Sequence, residues 1–193
     1  MTKTITQTLD QASQALAETQ VSSEFVFDGQ LLKVYRDTVR LPDGQLGTRE
    51  FIRHPGAAAI VPLLDNGNVL LLKQYRYPLG KAFIEFPAGK IDAGELPLQT
   101  AQRELKEETG YEARQWHTLT TIHNAIGYAD ERLELFLAEG LTAGTAQPDS
   151  GEVLEVFEAP LSDLLAWIAA GIVTDVKTII AAFFVQQRLA ARG

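Results

Sequence analysis

A chain of 193 residues, with 46% hydrophobic and 22% charged residues, is long enough for one globular domain with a proper core and a small N-terminal appendage. The absence of cysteine excludes disulfides, thiol nucleophiles and cysteine-based metal centres. The net charge of −8 argues against broad nucleic-acid binding, which needs a basic face. It is compatible with a small anionic substrate that a metal ion and a few arginines neutralise locally.

The chain carries no recognisable targeting or membrane-spanning pattern. Its first residues lack the charged-then-apolar sequence of a signal peptide. The longest apolar stretches, such as residues 56–64, are much shorter than a bilayer span requires. We therefore expect a cytoplasmic protein without a membrane partner.

The N-terminal part of the chain predicts a small antiparallel sheet. Residues 1 to about 20 are polar, and their pattern fits either a frayed tail or a short helix. Asp28-Gly29 is typical of a tight hairpin turn, and Pro42-Asp43-Gly44 predicts a second turn. Strand-like alternation of apolar residues occurs on both sides of these turns, at residues 21–27, 30–41 and 48–53.

The rest of the chain mixes strands with helices. Short apolar segments predict strands at residues 57–64, 69–75, 82–86, 117–124, 132–139 and 152–158. Helical periodicity predicts helices at residues 98–108, 162–170 and 174–191. This mixture indicates an α/β sandwich with a mixed sheet.

Three carboxylates are expected on one face of the first of these helices. Glu104, Glu107 and Glu108 have the spacing i, i+3 and i+4, which brings side chains together on a helix surface. Like charges so placed are destabilising unless a cation compensates them, and the adjacent Arg103 supplies only one positive charge. A hard divalent cation such as Mg²⁺ prefers carboxylate oxygens and bridges to substrate phosphate. The spacing therefore favours a metal site.

The segment around these carboxylates resembles the Nudix box. It begins at Gly89, reaches Glu95 after five residues, and after seven more continues as Arg-Glu-Leu-Lys-Glu-Glu-Thr-Gly from Arg103 to Gly110. Every fixed position of the family pattern is matched, and only Tyr111 departs from the usual final aliphatic residue. The alternative interpretation is a solvated charged helix that ends at a glycine.

The resemblance implies a metal centre and a family fold. It implies that Glu104, Glu107, Glu108 and the backbone carbonyl of Ala88 bind Mg²⁺, with Mn²⁺ as an alternative ion. It also implies a structural ion pair that joins Arg103 to Glu95. The expected fold is a Nudix-type α/β/α sandwich with a mixed sheet, preceded by the small N-terminal antiparallel sheet.

Segments outside the box are similar to the ADP-ribose pyrophosphatase branch of the family. These segments are residues 74–78, 85–92, 127–131 and 171–178. Members of this branch are typically homodimers whose N-terminal sheets contribute to the partner's site. We therefore expect a homodimer in which residues 1–53 provide dimerisation and substrate contacts, and residues 54–193 form the Nudix hydrolase domain.

The same resemblance suggests residues that contact the substrate or act on it. Arg53 and Arg76 would contact the phosphates or the terminal ribose, with a solvated surface arginine as the ordinary alternative for each. Glu85 would hydrogen-bond the substrate, with a strand-end carboxylate as the alternative. Glu107 and Glu108 are expected to be catalytic through the metal. Glu152 is the candidate for the remaining catalytic carboxylate, with a plain loop carboxylate as the alternative.

The implied reaction is the attack of water on one phosphorus of a diphosphate. Mg²⁺ would activate the water, and Glu152 would accept its proton. The expected substrate is ADP-ribose, which would give AMP and ribose 5-phosphate. A second candidate is another nucleoside diphosphate sugar such as GDP-mannose, and a remote one is a non-catalytic nucleotide-sensing domain.

Overall fold

The computed structural model of the protein describes residues 2–149 and 151–192. Its helices are α1 (Thr2–Ala15), α2 (Pro97–Thr109), α3 (Leu161–Ala169) and α4 (Val176–Ala190), with a short 3₁₀ helix at Tyr77–Leu79. Its strands are β1 (Thr19–Asp28), β2 (Lys33–Arg40), β3 (Leu46–Arg53), β4 (Ala57–Pro62), β5 (Asn68–Arg76), β6 (Lys81–Glu85), β7 (Ala88–Lys90), β8 (Tyr111–Ile122), β9 (Leu133–Ala143) and β10 (Leu154–Pro160). No helix within the described residues is long and apolar enough to cross a lipid bilayer.

The chain separates into two compact units, of which the first is the smaller. It contains the residues up to His54 together with Ala125–Asp130. Its sheet has the order β1-β2-β3 with antiparallel neighbours, which confirms the predicted N-terminal sheet. The segment Ala125–Asp130 adds to β3, because Ile52 N donates to the Tyr128 carbonyl over 2.9 Å and Asp130 N donates to the Ile52 carbonyl over 3.2 Å.

Aromatic side chains stabilise the three-stranded sheet of the first unit. Phe25 stacks on Tyr35 with ring centroids 4.9 Å apart, and Tyr35 stacks on Phe51 at 5.9 Å. The guanidinium of Arg53 lies 4.2 Å from the centroid of the Tyr35 ring, close enough for a cation–π interaction. Cross-strand aromatic pairs of this kind add to sheet stability beyond the area that they bury.

The second unit contains Pro55–Asn124 and the residues from Glu131 onward, and it holds two sheets. The four-stranded sheet has the order β7-β4-β9-β8 and is mixed, because β4 and β9 are parallel while the other pairs are antiparallel. The three-stranded sheet has the order β10-β5-β6 and is antiparallel. The expected mixed sheet is therefore confirmed.

The core of the second unit lies on both faces of β4, whose residues are all buried. Ala57, Ala59 and Val61 contribute to a large cluster that also contains residues of α3, α4 and both sheets. Ala58 and Ile60 face the other way into a smaller cluster with residues of α2 and β9. A strand buried on both faces is the arrangement of a layered α/β fold, and it fixes α2 against the sheet.

Several elements differ from the sequence-based expectation. Residues 2–15 form a helix, which decides between the helix and the tail that the polar pattern left open. The hairpin between β1 and β2 has a four-residue loop, 29–32, rather than a two-residue Asp-Gly turn. β8 begins at Tyr111 instead of His117, and β7 was not predicted, because three residues are too few to show a period.

Gly110 ends α2 and meets neighbouring backbone closely, so its replacement tests the packing of this helix. It has a φ of 77°, and a Cβ there would lie 2.6 Å from Ala146 N. We expect Gly110→Ala to cost more than the roughly 1–2 kcal/mol of left-handed strain alone. Gly67→Ala is the matched control, because Gly67 has a φ of 84° with nothing within 4 Å of the added Cβ. Urea unfolding would measure both variants, and equal losses would contradict the close packing.

Candidate active site

The acidic face of α2 is positioned by the packing of its opposite side. Ala101 and Leu105 are fully buried in the smaller core cluster, so the helix cannot rotate about its axis without exposing them. This orientation directs Glu104, Glu107 and Glu108 away from that cluster. The predicted grouping of the three carboxylates on one face therefore has a physical cause in the core.

Arg103 joins the acidic face to the loop that precedes α2. Its Nε donates to Glu95 Oε1 over 2.9 Å, and its Nη1 donates to Glu104 Oε1 over 2.7 Å and to Glu107 Oε2 over 3.0 Å. The hydrogen bonds from Arg103 and Thr100 lower the pKa of Glu95 to about 2. The expected ion pair with Glu95 is present, and Arg103 contacts more carboxylates than the sequence analysis assumed.

Glu108 is the carboxylate on this face to which Arg103 donates no hydrogen bond. It is only 3% exposed and accepts a hydrogen bond from the Ala88 N–H over 3.0 Å. Burial, followed by the charges of Glu104 and Glu152, raises its pKa to about 9. Burial and the neighbouring charges of Glu107 and Glu152 also raise the pKa of Glu104, against the effect of Arg103.

Gly89 allows the Glu104 carboxylate to lie against the backbone of β7. A Cβ built on this glycine would lie 1.7 Å from Glu104 Oε1 and 1.9 Å from Glu104 Cδ. Because real atoms never approach so closely, any other residue would displace the carboxylate. The first glycine of the predicted box therefore has a steric role at the site.

The chemistry of these side chains fits a hard divalent cation. Glu108 is buried and Glu104 is partly buried, so the charged forms of both carboxylates are disfavoured, and a cation beside them would reverse that effect. Among residues 2–149 and 151–192, no three His, Cys, Asp or Glu side chains form a ready-made metal cluster. Arg103 is hydrogen-bonded to Glu104 and Glu107, which turns these two carboxylates toward the guanidinium.

Glu152 belongs to the same electrostatic environment although it lies before β10 in the sequence. Its charge acts on both Glu104 and Glu108. Its Oε1 accepts a hydrogen bond from Gln74 Nε2 over 3.0 Å. The structure thus brings the proposed fourth carboxylate near the box. Gln74, which holds it, was not selected from the sequence.

Arg76 and Glu85 form a bidentate ion pair beside a cavity of about 330 Å³. The two hydrogen bonds measure 2.8 and 2.7 Å, and Lys177 also donates to the Glu85 carboxylate. Burial opposes the ionisation of Glu85, but the hydrogen bonds from Arg76 and Lys177 outweigh it and keep the pKa of this carboxyl below its ordinary value. Sequence reasoning missed Lys177, although residues 171–178 were among the segments that carried the resemblance.

Arg53 belongs to the first unit, where its guanidinium lies over the rings of Tyr35 and Phe51. Its position at the end of β3 follows from its pairing with Lys33 in the β2–β3 register. The structure therefore places Arg53 in the N-terminal sheet, and the carboxylates of α2 in the second unit.

Comparison with known families identifies the class of the protein. Residues 53–179 match the NUDIX domain. Because this match covers more than half of the chain, the chain belongs to the Nudix family, and the resemblance of the box is confirmed. The protein is an enzyme of the hydrolase type that defines this family, whose members generally use divalent metal cations.

Further similarities place the chain within the family. Residues 18–52 match the nucleoside diphosphate sugar hydrolase N-terminal domain. An ADP-ribose pyrophosphatase of Bacillus subtilis (strain 168) is 38% identical over 93% of this chain and 98% of its own length. A methanol dehydrogenase activator of Bacillus methanolicus is 39% identical over 88% and 92% of the two chains. The resemblance to the ADP-ribose pyrophosphatase branch is confirmed.

A solved structure supports the same assignment. The crystal structure of an ADP compounds hydrolase superposes with a TM-score of 0.83, is 25% identical, and covers 91% of this chain and 96% of its own. The Nudix fold that the resemblance implied is therefore confirmed.

Stability of the metal-free protein should fall with rising pH because of Glu108. The pKa of Glu108 is about 9 in the folded state, whereas in the unfolded chain it has the ordinary value of 4.5. The contribution of this group is therefore complete below about pH 4.5 and is lost progressively as pH rises through about 9. Glu108→Gln, which stays neutral, should flatten this fall when urea unfolding is followed from pH 5 to 9 in EDTA. Glu158→Gln, at an exposed carboxylate of β10, is the control, and parallel profiles for wild type and Glu108→Gln would contradict the assignment.

Gly89→Ala should impair the site by moving Glu104. We expect a loss of activity of roughly 10- to 100-fold, as is typical when a residue that positions a metal ligand is changed. Gly94→Ala, in the loop after β7, is the control, because nothing lies within 4 Å of the added Cβ and its φ of 87° adds only local backbone strain. Thermal unfolding would show whether both variants are folded. Normal turnover of folded Gly89→Ala would contradict the steric role.

Proposed function

We propose that the protein hydrolyses the diphosphate bond of ADP-ribose to AMP and ribose 5-phosphate, with Mg²⁺ as its cofactor. The observation that carries this proposal is the buried Glu108 carboxylate, crowded by Glu104 and Glu152. The relatives named ADP-ribose pyrophosphatase and the matched N-terminal domain support the substrate class.

Glu104, Glu107, Glu108 and the carbonyl of Ala88 are the residues that would hold Mg²⁺, or Mn²⁺ in its place. When bound, the metal supplies positive charge to the diphosphate and lowers the pKa of a bound water. The protein contributes the fixed orientation of these ligands, since Arg103 and the Ala88 N–H hold their side chains. Preorganised ligands lose little free energy when the reaction charge develops.

Glu152 is the proposed proton acceptor for the attacking water. It acts electrostatically on Glu104 and Glu108, and Gln74 fixes one of its oxygens over 3.0 Å. A carboxylate in hydrogen-bond reach of a water can remove its proton as the bond to phosphorus forms. Glu104 and Glu108 are poorer candidates because metal binding would occupy their oxygens.

Arg76 and Arg53 are proposed to contact the phosphates or terminal ribose of the substrate. Arg76 lines the cavity, and its pairing with Glu85 fixes the plane of the guanidinium. A planar guanidinium presents parallel N–H groups to a phosphate, which a flexible lysine does not. With a net charge of −8, the protein depends on such local cations to bind an anionic nucleotide.

The active protein is proposed to be a homodimer in which residues 1–53 contribute to the partner's site. Every residue of β1 is exposed, and Val21, Phe25, Val26 and Phe27 are among them. Exposed apolar side chains concentrated on one strand are usually covered by another surface. Light scattering after size-exclusion chromatography tests the dimer, and a monomeric mass would contradict it.

A substrate panel tests the reaction. Phosphate release after added phosphatase would be measured with ADP-ribose, GDP-mannose, ADP-glucose and dinucleoside polyphosphates. We expect preference for ADP-ribose, loss of activity in EDTA and recovery with Mg²⁺. Preference for GDP-mannose would contradict ADP-ribose as the substrate but would agree with the proposed mechanism. No hydrolysis of any of these compounds would contradict the proposal.

Glu108→Gln tests the metal assignment. Removing one charged ligand should lower kcat by roughly two orders of magnitude or more, because stabilisation of the transition state is lost. Glu112→Gln is the matched control, since Glu112 lies just beyond α2 and pairs with the exposed Lys106. Near-normal turnover of folded Glu108→Gln would rule out a ligand role for this residue.

A further inference from the structure

Four charged side chains form a continuous series of hydrogen bonds beside the cavity. Arg76 donates through Nε and Nη2 to the two oxygens of Glu85, over 2.8 and 2.7 Å. Lys177 donates to Glu85 Oε2 and, over 3.0 Å, to Asp175 Oδ2. The order Arg76, Glu85, Lys177, Asp175 alternates in sign, so every neighbouring pair is attractive.

Arg76 is the most exposed member of this series. Lys177 is 9% exposed and Glu85 is 3% exposed, whereas the Arg76 side chain is 43% exposed. A guanidinium carries five N–H donors, and Glu85 accepts from two of those of Arg76. Arg76 is therefore the member that can present further donors to an anionic ligand, while the other cation is turned inward.

The inner cation fixes the carboxylate on which Arg76 rests. Glu85 Oε2 accepts from both Lys177 and Arg76, so the ammonium group defines the position of that oxygen. Bidentate pairing then transmits this position to the plane of the guanidinium. Without the Lys177 charge, a buried carboxylate would have one cationic partner at the cavity edge, and breaking such a buried pair is costly.

Lys177 is itself held rigidly at the start of α4. The helix is capped by Asp175, whose Oδ2 accepts from the Thr178 N–H over 3.0 Å and from the Thr178 hydroxyl over 2.6 Å. The same hydroxyl oxygen accepts from Phe86 N over 2.8 Å. Glu85 and Phe86 are consecutive residues at the end of β6. The start of α4 is therefore hydrogen-bonded to this end through two adjacent residues.

We propose that Lys177 is a positioning residue of this enzyme: it fixes the Glu85 carboxylate, which orients the Arg76 guanidinium toward the diphosphate of the substrate. The proposal rests on the proposed function, in which Arg76 contacts the substrate phosphates. Lys177 acts on the reaction through Glu85 and Arg76 and does not need to touch the substrate itself.

Steady-state kinetics of Lys177→Met give the first test. The neutral, similarly long side chain should raise KM by roughly 10- to 100-fold and change kcat much less, because binding is weakened equally in ground and transition states. Lys177→Arg keeps the charge and should recover part of the loss. Lys73→Met is the matched control: Lys73 pairs with the exposed Glu155 and should leave both constants unchanged. A fall in kcat at unchanged KM would overturn the proposal.

A double-mutant cycle separates positioning from a general structural role. In an Arg76→Ala background, Lys177→Met should add less than about a twofold change in kcat/KM, because its route to the substrate is already absent. Effects that multiply would show that Lys177 acts independently of Arg76, and this result would overturn the proposal.

A third measurement does not depend on activity and distinguishes a failure of this proposal from a failure of the proposed function. The ¹⁵N NMR signal of Arg76 Nε–H, assigned by its loss in Arg76→Lys, reports the bond to Glu85. We expect slow exchange with water in wild type and Lys73→Met, and fast exchange in Lys177→Met. An unchanged signal in Lys177→Met overturns the positioning role, whatever the substrate panel shows. Thermal unfolding checks the fold, and Lys177→Gln replaces Lys177→Met if the latter does not fold.

Discussion

Glu108 of α2 is buried and accepts a hydrogen bond from the first residue of β7. Burial and two neighbouring carboxylates oppose its negative charge, and the hydrogen bond from the Ala88 N–H favours it. A carboxylate in this environment is either protonated or bound to a cation. The surrounding structure keeps it there, since Leu105 anchors the opposite side of α2 in the core. Gly89 leaves room for Glu104 on the same face. The capacity of the site to bind a divalent ion therefore arises from packing as much as from charge.

Two ionic networks of different character surround this centre. Arg103 gathers Glu95, Glu104 and Glu107 and so joins the loop to the helix within one stretch of sequence. The second network joins Arg76 with residues of β6 and α4, which are far apart in the chain. In the proposed function, the first network would arrange carboxylates for a metal, and the second would orient cationic groups toward phosphate. A diphosphate needs both kinds of surface.

The sequence predicted the parts of the structure that depend on local spacing. The acidic face of α2, the pair of Arg103 with Glu95 and the N-terminal sheet follow from periodicity, from turns, or from a box whose residues are close in the chain. Lys177 was not predicted, because it meets Glu85 across 92 positions of sequence, and no local pattern encodes that contact. Glu152 was predicted, but its hydrogen bond with Gln74 was not, because the two residues are 78 positions apart. β7 was not predicted, because its extended conformation depends on pairing with β4 and not on the preferences of its own residues.

The segment Ala125–Asp130 belongs to the N-terminal unit although it lies between β8 and β9 of the other unit. The smaller unit is therefore assembled from two separate stretches of the gene. Cleavage of the chain near residue 54 would leave Tyr128 and Asp130 without the backbone partners that β3 provides. The N-terminal sheet is consequently not a detachable module, and domain shuffling could exchange it intact only together with an internal loop of the hydrolase domain.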